Sequence, residues 1–266
     1  MARAPFRRLI CTAVIIVFIV YLLQTLSPLR LVGDGIDYLL QASSAADGHG
    51  FLVHGQRSMR PPGYPFLIFV LIKVGIGQPW AIVALNCLFL GLGAIGAYLL
   101  LRESFELGPE ASSMICLLTL LSFVIVRQVT QPLSDICFFG ASVWCVFLLS
   151  QIEKGKAKFW LLAPAALLLI VCVELRTIGV TLIAAFLWAL FGGNAGLAKV
   201  PSWIRQHRIA SIAACLVVTV MLVWASRIII DSRYFQFNQP NFQRRGVVGS
   251  VTANLRDRTL EWGTDH

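Results

Sequence analysis

A succession of long apolar runs, nearly free of charge, constrains this chain more than any other feature. The runs are Leu9–Leu26, Pro79–Leu101, Ala111–Val126, Pro132–Ser150, Phe159–Leu175, Ile178–Phe191 and Ile209–Ile230. A helix needs about 20 apolar residues to cross the hydrocarbon core of a bilayer. In lipid every backbone N–H and C=O must be satisfied within the spanning structure, which favours helices here. The expected fold is therefore an all-α polytopic membrane protein of about seven transmembrane helices, the shortest being Ile178–Phe191. Composition agrees, at 58% hydrophobic and 13% charged, against roughly 45–50% and 25% in soluble domains.

One apolar stretch does not fit a crossing. Pro65–Gly77 spans 13 residues and contains Lys73, so it reads as a juxtamembrane or re-entrant helix. With the N-terminus cytoplasmic, the inner segments then hold ten Lys and Arg, against six in the outer segments up to Arg176. That follows the positive-inside tendency. The tail at 231–266 dissents: it would lie outside, yet it holds Arg233, Arg244, Arg245, Arg256 and Arg258. Its Tyr234, Phe235, Phe237 and Phe242 suit a membrane interface. The expected organisation is a membrane domain over 1–230, with an outer loop at 27–78, followed by an extracytoplasmic tail.

The net charge of +9 does not point to nucleic acid, because the basic residues sit in short loops where orientation signals belong. The N-terminal run is long and lacks an A-x-A cleavage pattern, so it reads as a retained span. Cys11, Cys87, Cys116, Cys137, Cys145, Cys172 and Cys215 all lie in apolar runs with no CxxC pair, and read as small buried hydrophobes. Gly91, Gly93 and Gly96, with Ala94 and Ala97, read as a close helix-packing face.

The polar stretch after the first span carries the chemistry. Three clusters meet on the expected outer face: Asp34, Asp37 and Tyr38; then Arg57, Arg60 and the turn Pro61–Pro65; then Arg127, Gln131, Ser134 and Asp135 with Glu174 and Arg176. Charge is costly beside lipid and usually marks a site. A carboxylate can take a proton from a hydroxyl or hold a divalent cation, and arginines can clamp a phosphate. Asp34 and Asp135 are thus the candidate catalytic residues. Asp37, Tyr38, Arg57, Arg60, Tyr64 and Arg176 are the candidate substrate-binding residues. Each has a plainer reading: Asp34-Gly35 as a turn, Asp135 as a helix cap, Glu174 with Arg176 as a local ion pair. His49 and His54 lack a second ligand pattern and are not read as a metal site.

The order D-G-I-D-Y at Asp34–Tyr38, R-P-P-G-Y-P at Arg60–Pro65 and P-L-S-D at Pro132–Asp135 resembles the GT-C membrane glycosyltransferases. The nearest branch is the one related to polyprenyl-phosphate-mannose protein mannosyltransferases and lipid A aminoarabinose transferases. The chain departs from that pattern at Gly35, where the family has Glu, and it stops earlier than relatives do, as a short or incomplete member would.

The resemblance implies inverting transfer of a sugar from a polyprenyl-phosphate donor to a lipid, glycan or protein acceptor on the outer face of the membrane; separately, the lack of a eukaryotic retention signal and of cysteines in the outer loops fits a bacterial inner membrane as part of the cell envelope. Asp34 would be the general base. Arg60 and Arg176, with Arg57, would stabilise the departing phosphate. Asp135 would position the acceptor or share a cation such as Mg or Mn with Asp34, a metal-free site being the alternative. The rival readings are a non-catalytic scaffold subunit and a transporter component. The spans hold almost no ionisable residues and no internal repeat, which weighs against transport.

Overall fold

The computed structural model describes residues 3–58, 60–154 and 161–191. Among these the chain is mostly helical, and its only paired strands are a two-residue hairpin. The helices are α1 (Arg3–Gln24), α2 (Gly33–Ala46), α3 (Gly63–Lys73), α4 (Pro79–Glu103), α5 (Pro109–Leu120), α6 (Phe123–Val129), α7 (Ser134–Glu153), α8 (Leu162–Leu175) and α9 (Thr181–Phe191). Strands β1 (Leu52–Val53) and β2 (Gln56–Arg57) pair antiparallel between α2 and α3. Their two-residue turn places His54 at φ 50° and Gly55 at φ 75°, as tight hairpin turns demand.

Two helices, α4 and α7, are long and apolar enough to cross a membrane, at 25 and 20 residues. The expected span Ala111–Val126 is not one straight helix: α5 and α6 meet at a bend of 58°. Counted as one broken span, they make a third crossing. A side chain from α1 meets the backbone at the bend. The Tyr21 hydroxyl donates to the Leu120 carbonyl at 2.6 Å, in place of the amide that a continuing helix would present. The seven expected crossings are therefore not all shown: the first expected span is a shorter apolar helix over Arg8–Gln24, α8 and α9 have 14 and 11 described residues, and Ile209–Ile230 lies outside the described residues, as does the tail at 231–266. Pro65–Gly77, expected to fall short of a span, is the 11-residue α3.

Helix α2 departs from the reading of 27–64 as merely polar. It buries Gly35, Tyr38, Gln41 and Ala42, an i, i+3, i+6, i+7 stripe on one helical face. That face packs on α3 and α7, within a core that includes Tyr38, Ala42, Tyr64, Ile68, Cys137, Ala141 and Leu169. A second cluster joins α1, α4, α5, α6 and α7 through Val17, Tyr21, Val83, Leu90, Leu117, Val129 and Ile136. The glycine stripe works in part as expected. A Cβ on Gly93 would meet Phe139 at 2.7 Å, and one on Gly96 would meet Trp144 at 3.2 Å, whereas Gly91 faces open space. Of the cysteines, Cys137, Cys145 and Cys172 are buried, Cys87 and Cys116 half-buried, and Cys11 faces outward; Cys215 lies outside the described residues.

Helices α4 and α7 run parallel, with α5 and α6 forming the return. Near their starts, Asn86 reaches the Val129 and Gln131 carbonyls. Near their ends, the Lys154 ammonium reaches the Glu103 and Ser104 carbonyls. The chain thus has two distinct ends. The polar residues singled out above gather at the end where α4 and α7 begin, and Arg102 and Lys154 lie at the other.

Candidate functional site

Asp34 occupies the first turn of α2, where a carboxylate is favoured by the free amides and the helix dipole. Asp37 follows one turn on, so both acids share a face. Arg60, at the close of the segment after the hairpin, lies against them. Its Nη1 is 2.5 Å from Asp34 Oδ2, and its Nε is 3.6 Å from Asp37 Oδ2. Nη1 has no aligned hydrogen-bond partner among the described residues, so the Asp34 contact is a charge pair and not a hydrogen-bonded fork. Beneath the guanidinium, at 5.7 Å from its carbon, lies the centre of the Tyr38 ring, a cation–π arrangement.

A second pair faces the same end. Helix α8 stops at Leu175 and Arg176 turns to extended backbone, φ −152°. Its guanidinium donates to Asp135, the acid in the first turn of α7. Asp135 thus lies within the first turn, two residues past the Leu133 N-cap, where no side chain makes a capping hydrogen bond; it is not the helix cap that the sequence suggested, and it carries a basic partner.

Three contacts hold the two pairs together. Tyr38 Oη and Ser134 Oγ are 3.3 Å apart, which joins α2 to the first residue of α7. A Cβ on Gly35 would lie 2.7 Å from the Pro132 ring. The side chain that the family pattern would place here therefore has no room: Gly35 is the residue this packing requires. A Cβ on Gly63 would lie 2.5 Å from the Glu174 carbonyl, so the start of α3 abuts the end of α8, two residues before Arg176.

Of the residues expected to bind substrate, Asp37, Arg60 and Arg176 are partly open to solvent, as are the acids Asp34 and Asp135. Tyr38 is nearly buried and Tyr64 fully so. Tyr64 is thus placed as an internal post, not as a surface contact. Its ring packs edge-on against Tyr38 at 5.5 Å, and its hydroxyl donates to Asn86 Oδ1 at 3.1 Å. Burial pushes its phenol well above the ordinary tyrosine range, which keeps it a neutral donor. Arg57 lies on β2. Arg127 is exposed in the last turn of α6 and joins neither pair. His49 and His54 are exposed.

Sequence reasoning missed Asn86. It is fully buried in α4, and its amide spends both ends on the site's frame: the oxygen accepts from Tyr64, and the nitrogen donates to Val129 at 2.9 Å and Gln131 at 3.0 Å. A lone Asn in an apolar run was the available signal, because buried amides are kept only where they are bonded.

Among the described residues, no three His, Cys, Asp or Glu side chains converge as a cation site. Asp34 has Arg60 as its close partner, which fits an anion-handling arrangement better than a metal cage. No family model matches the chain, and neither a curated protein nor a solved structure matches it.

Proposed function

We propose that the chain is a membrane glycosyltransferase of GT-C type, moving a sugar from a polyprenyl-phosphate donor to an acceptor hydroxyl at the outer membrane face. The observation that carries this reading is the pairing of Arg60 with Asp34 and Asp37 beside the pairing of Arg176 with Asp135. Three acids and two arginines stand at one end of an apolar helical bundle, which suits a reaction that needs both a base and a counter-charge for a phosphate.

In the proposed step, the donor phosphate competes for Arg60 and Arg176 and frees the carboxylates. Asp34 takes the acceptor's O–H proton. The acceptor oxygen forms its bond to the anomeric carbon while the bond from that carbon to the phosphate oxygen breaks. The electron pair leaves with the polyprenyl phosphate, whose charge the two guanidiniums stabilise. Asp135 orients the acceptor. Holding both substrates in line supplies much of the acceleration. In the same reading, the N-terminus is cytoplasmic and the membrane is a bacterial inner membrane.

One observation favours a second reading, a non-catalytic scaffold subunit: both arginines already have carboxylate partners, as structural ion pairs do. Glycolipid and glycan mass spectrometry of a deletion strain separates the two. Complementation with wild type is expected to restore a missing sugar, and Asp34→Asn at equal membrane level is expected not to. Restoration by both would leave Asp34 structural, and a deletion that changes no glycan would favour the scaffold.

A further inference from the structure

The arginines at this end of the bundle are of two kinds. Arg60 and Arg176 are paired with Asp34, Asp37 and Asp135. Arg30 and Arg127 are exposed, and among the described residues neither guanidinium has a carboxylate within ion-pair distance.

The fold brings these two together from distant parts of the chain. The Arg30 amide donates to the Thr130 carbonyl at 2.9 Å, and the Thr130 hydroxyl donates to the Arg127 carbonyl at 3.0 Å. Thr130 itself is fully buried. Both arginine backbones are therefore fixed to one buried residue while their side chains stand in the open. Two uncompensated positive charges on one such bracket raise the local potential and attract an anion.

The surroundings give the depth in the membrane. Leu31 follows Arg30, and Phe123 and Val124 lie one turn before Arg127; all three are exposed. On the segment that leads to Arg30, Thr25, Leu26 and Ser27 line a groove of about 650 Å³ that Trp80 closes from the start of α4. Trp80 is half exposed, as tryptophans at the headgroup layer of a bilayer are. Arginines at that level meet lipid phosphates.

We propose that Arg30 and Arg127 together hold the phosphate of an anionic phospholipid from the surrounding bilayer, with the upper part of its chains against Leu31, Phe123 and Val124. Charge decides the head group. A guanidinium matches a phosphate diester in shape and sign, and a head with net charge −1 offsets part of the unpaired +2. A zwitterionic head brings an ammonium as well, and the carboxylates that could receive it are taken by Arg60 and Arg176. Those paired arginines are the ones assigned to the sugar donor above, so this site is separate and its occupancy requires no sugar transfer.

The full chain, purified in a neutral detergent, is titrated with phosphatidylglycerol or phosphatidylcholine, and the lipid-bound fractions are read by native mass spectrometry. Phosphatidylglycerol is expected to bind more tightly, and added salt to narrow the difference. Arg30→Gln and Arg127→Gln should each weaken phosphatidylglycerol binding about fivefold, and the double variant about thirtyfold, at roughly 1 kcal/mol for each basic side chain near a lipid surface. Phosphatidylcholine binding should change less. Equal binding of the two lipids by the wild type overturns the proposal. So does wild-type affinity for phosphatidylglycerol in the double variant. Displacement of the bound lipid by farnesyl phosphate but not by dodecyl phosphate overturns it as well, since that result marks a prenyl-specific donor site. The first and third of these are read on the unaltered protein, so a variant that fails to fold does not shield the idea.

Discussion

The α-carbon of Gly63 lies against the main chain of Glu174, so close that a Cβ built there would stand 2.5 Å from the Glu174 carbonyl oxygen and 2.6 Å from its carbon. Backbone cannot rotate aside as a flexible side chain can. Gly63→Ala must therefore push α3 away from α8, and with it the segment that carries Arg60. The expected loss is about 1–3 kcal/mol, as for overpacking elsewhere, read by thermal unfolding in detergent. Gly33→Ala is the control: Gly33 meets nothing within 4 Å and should unfold at or slightly above the wild-type temperature. Equal behaviour of the two variants would show that α3 and α8 do not abut in this way.

Asn86 predicts a rank order. Asn86→Leu strips partners from the Tyr64 hydroxyl and from the Val129 and Gln131 carbonyls. At about 1–3 kcal/mol for each orphaned group, it should be among the most destabilising single changes in the chain. Tyr64→Phe removes one bond and leaves Asn86 Oδ1 a weak contact from Cys137 Sγ at 3.8 Å, so it should cost only about 1 kcal/mol. The same unfolding assay ranks them, and a Tyr64→Phe loss as large as that of Asn86→Leu would contradict the proposed division of labour.

The bend between α5 and α6 should depend on Tyr21. With Tyr21→Phe the Leu120 carbonyl loses its 2.6 Å donor in an apolar surrounding, and the helical amide becomes its best remaining partner. Spin labels on α5 and α6 should then report a straighter pair. An unchanged distance distribution would mean that packing alone sets the 58° angle.

Periodicity and length made some elements legible and left others hidden. Apolar runs located α4 and α7 to within a few residues, because a run with no charge can satisfy its backbone only as helix. The short length of Pro65–Gly77 separated it from the spans, and it is α3. The polar loop concealed α2: Gln41, Ser43 and Ser44 gave the segment a polar cast, while Gly35, Tyr38 and Ala42 kept a buried stripe. The bend after Leu120 left no Pro or Gly to read, and the hydroxyl that bonds the backbone there is 99 residues away in sequence. At the site, sequence order brought the acids and arginines to one end but did not say which acid takes which arginine. That pairing is set by Tyr38 on Ser134 and by Gly63 on Glu174, both tertiary contacts.

The Arg176–Asp135 pair offers the sharpest division between a structural and a chemical role. Both side chains are substantially solvated, at 43% and 34% exposure, and pairs of that kind couple by only about 0–1 kcal/mol. Asp135→Asn, Arg176→Gln and their combination should therefore shift unfolding slightly and nearly additively. Transfer should respond differently. If Arg176 stabilises charge on a departing phosphate, either single change should lower turnover by about 10²-fold or more, the scale for losing one preorganised stabilising group. The exchanged pair, Asp135→Arg with Arg176→Asp, is decisive, because it keeps the attraction while reversing which backbone carries each charge. A purely structural ion pair survives that exchange in both assays. A pair that handles substrate recovers stability and stays inactive, since the positive charge now stands on α7 and no longer beside α8 and Arg60. Recovery of activity by the exchanged protein would remove Arg176 from the proposed mechanism.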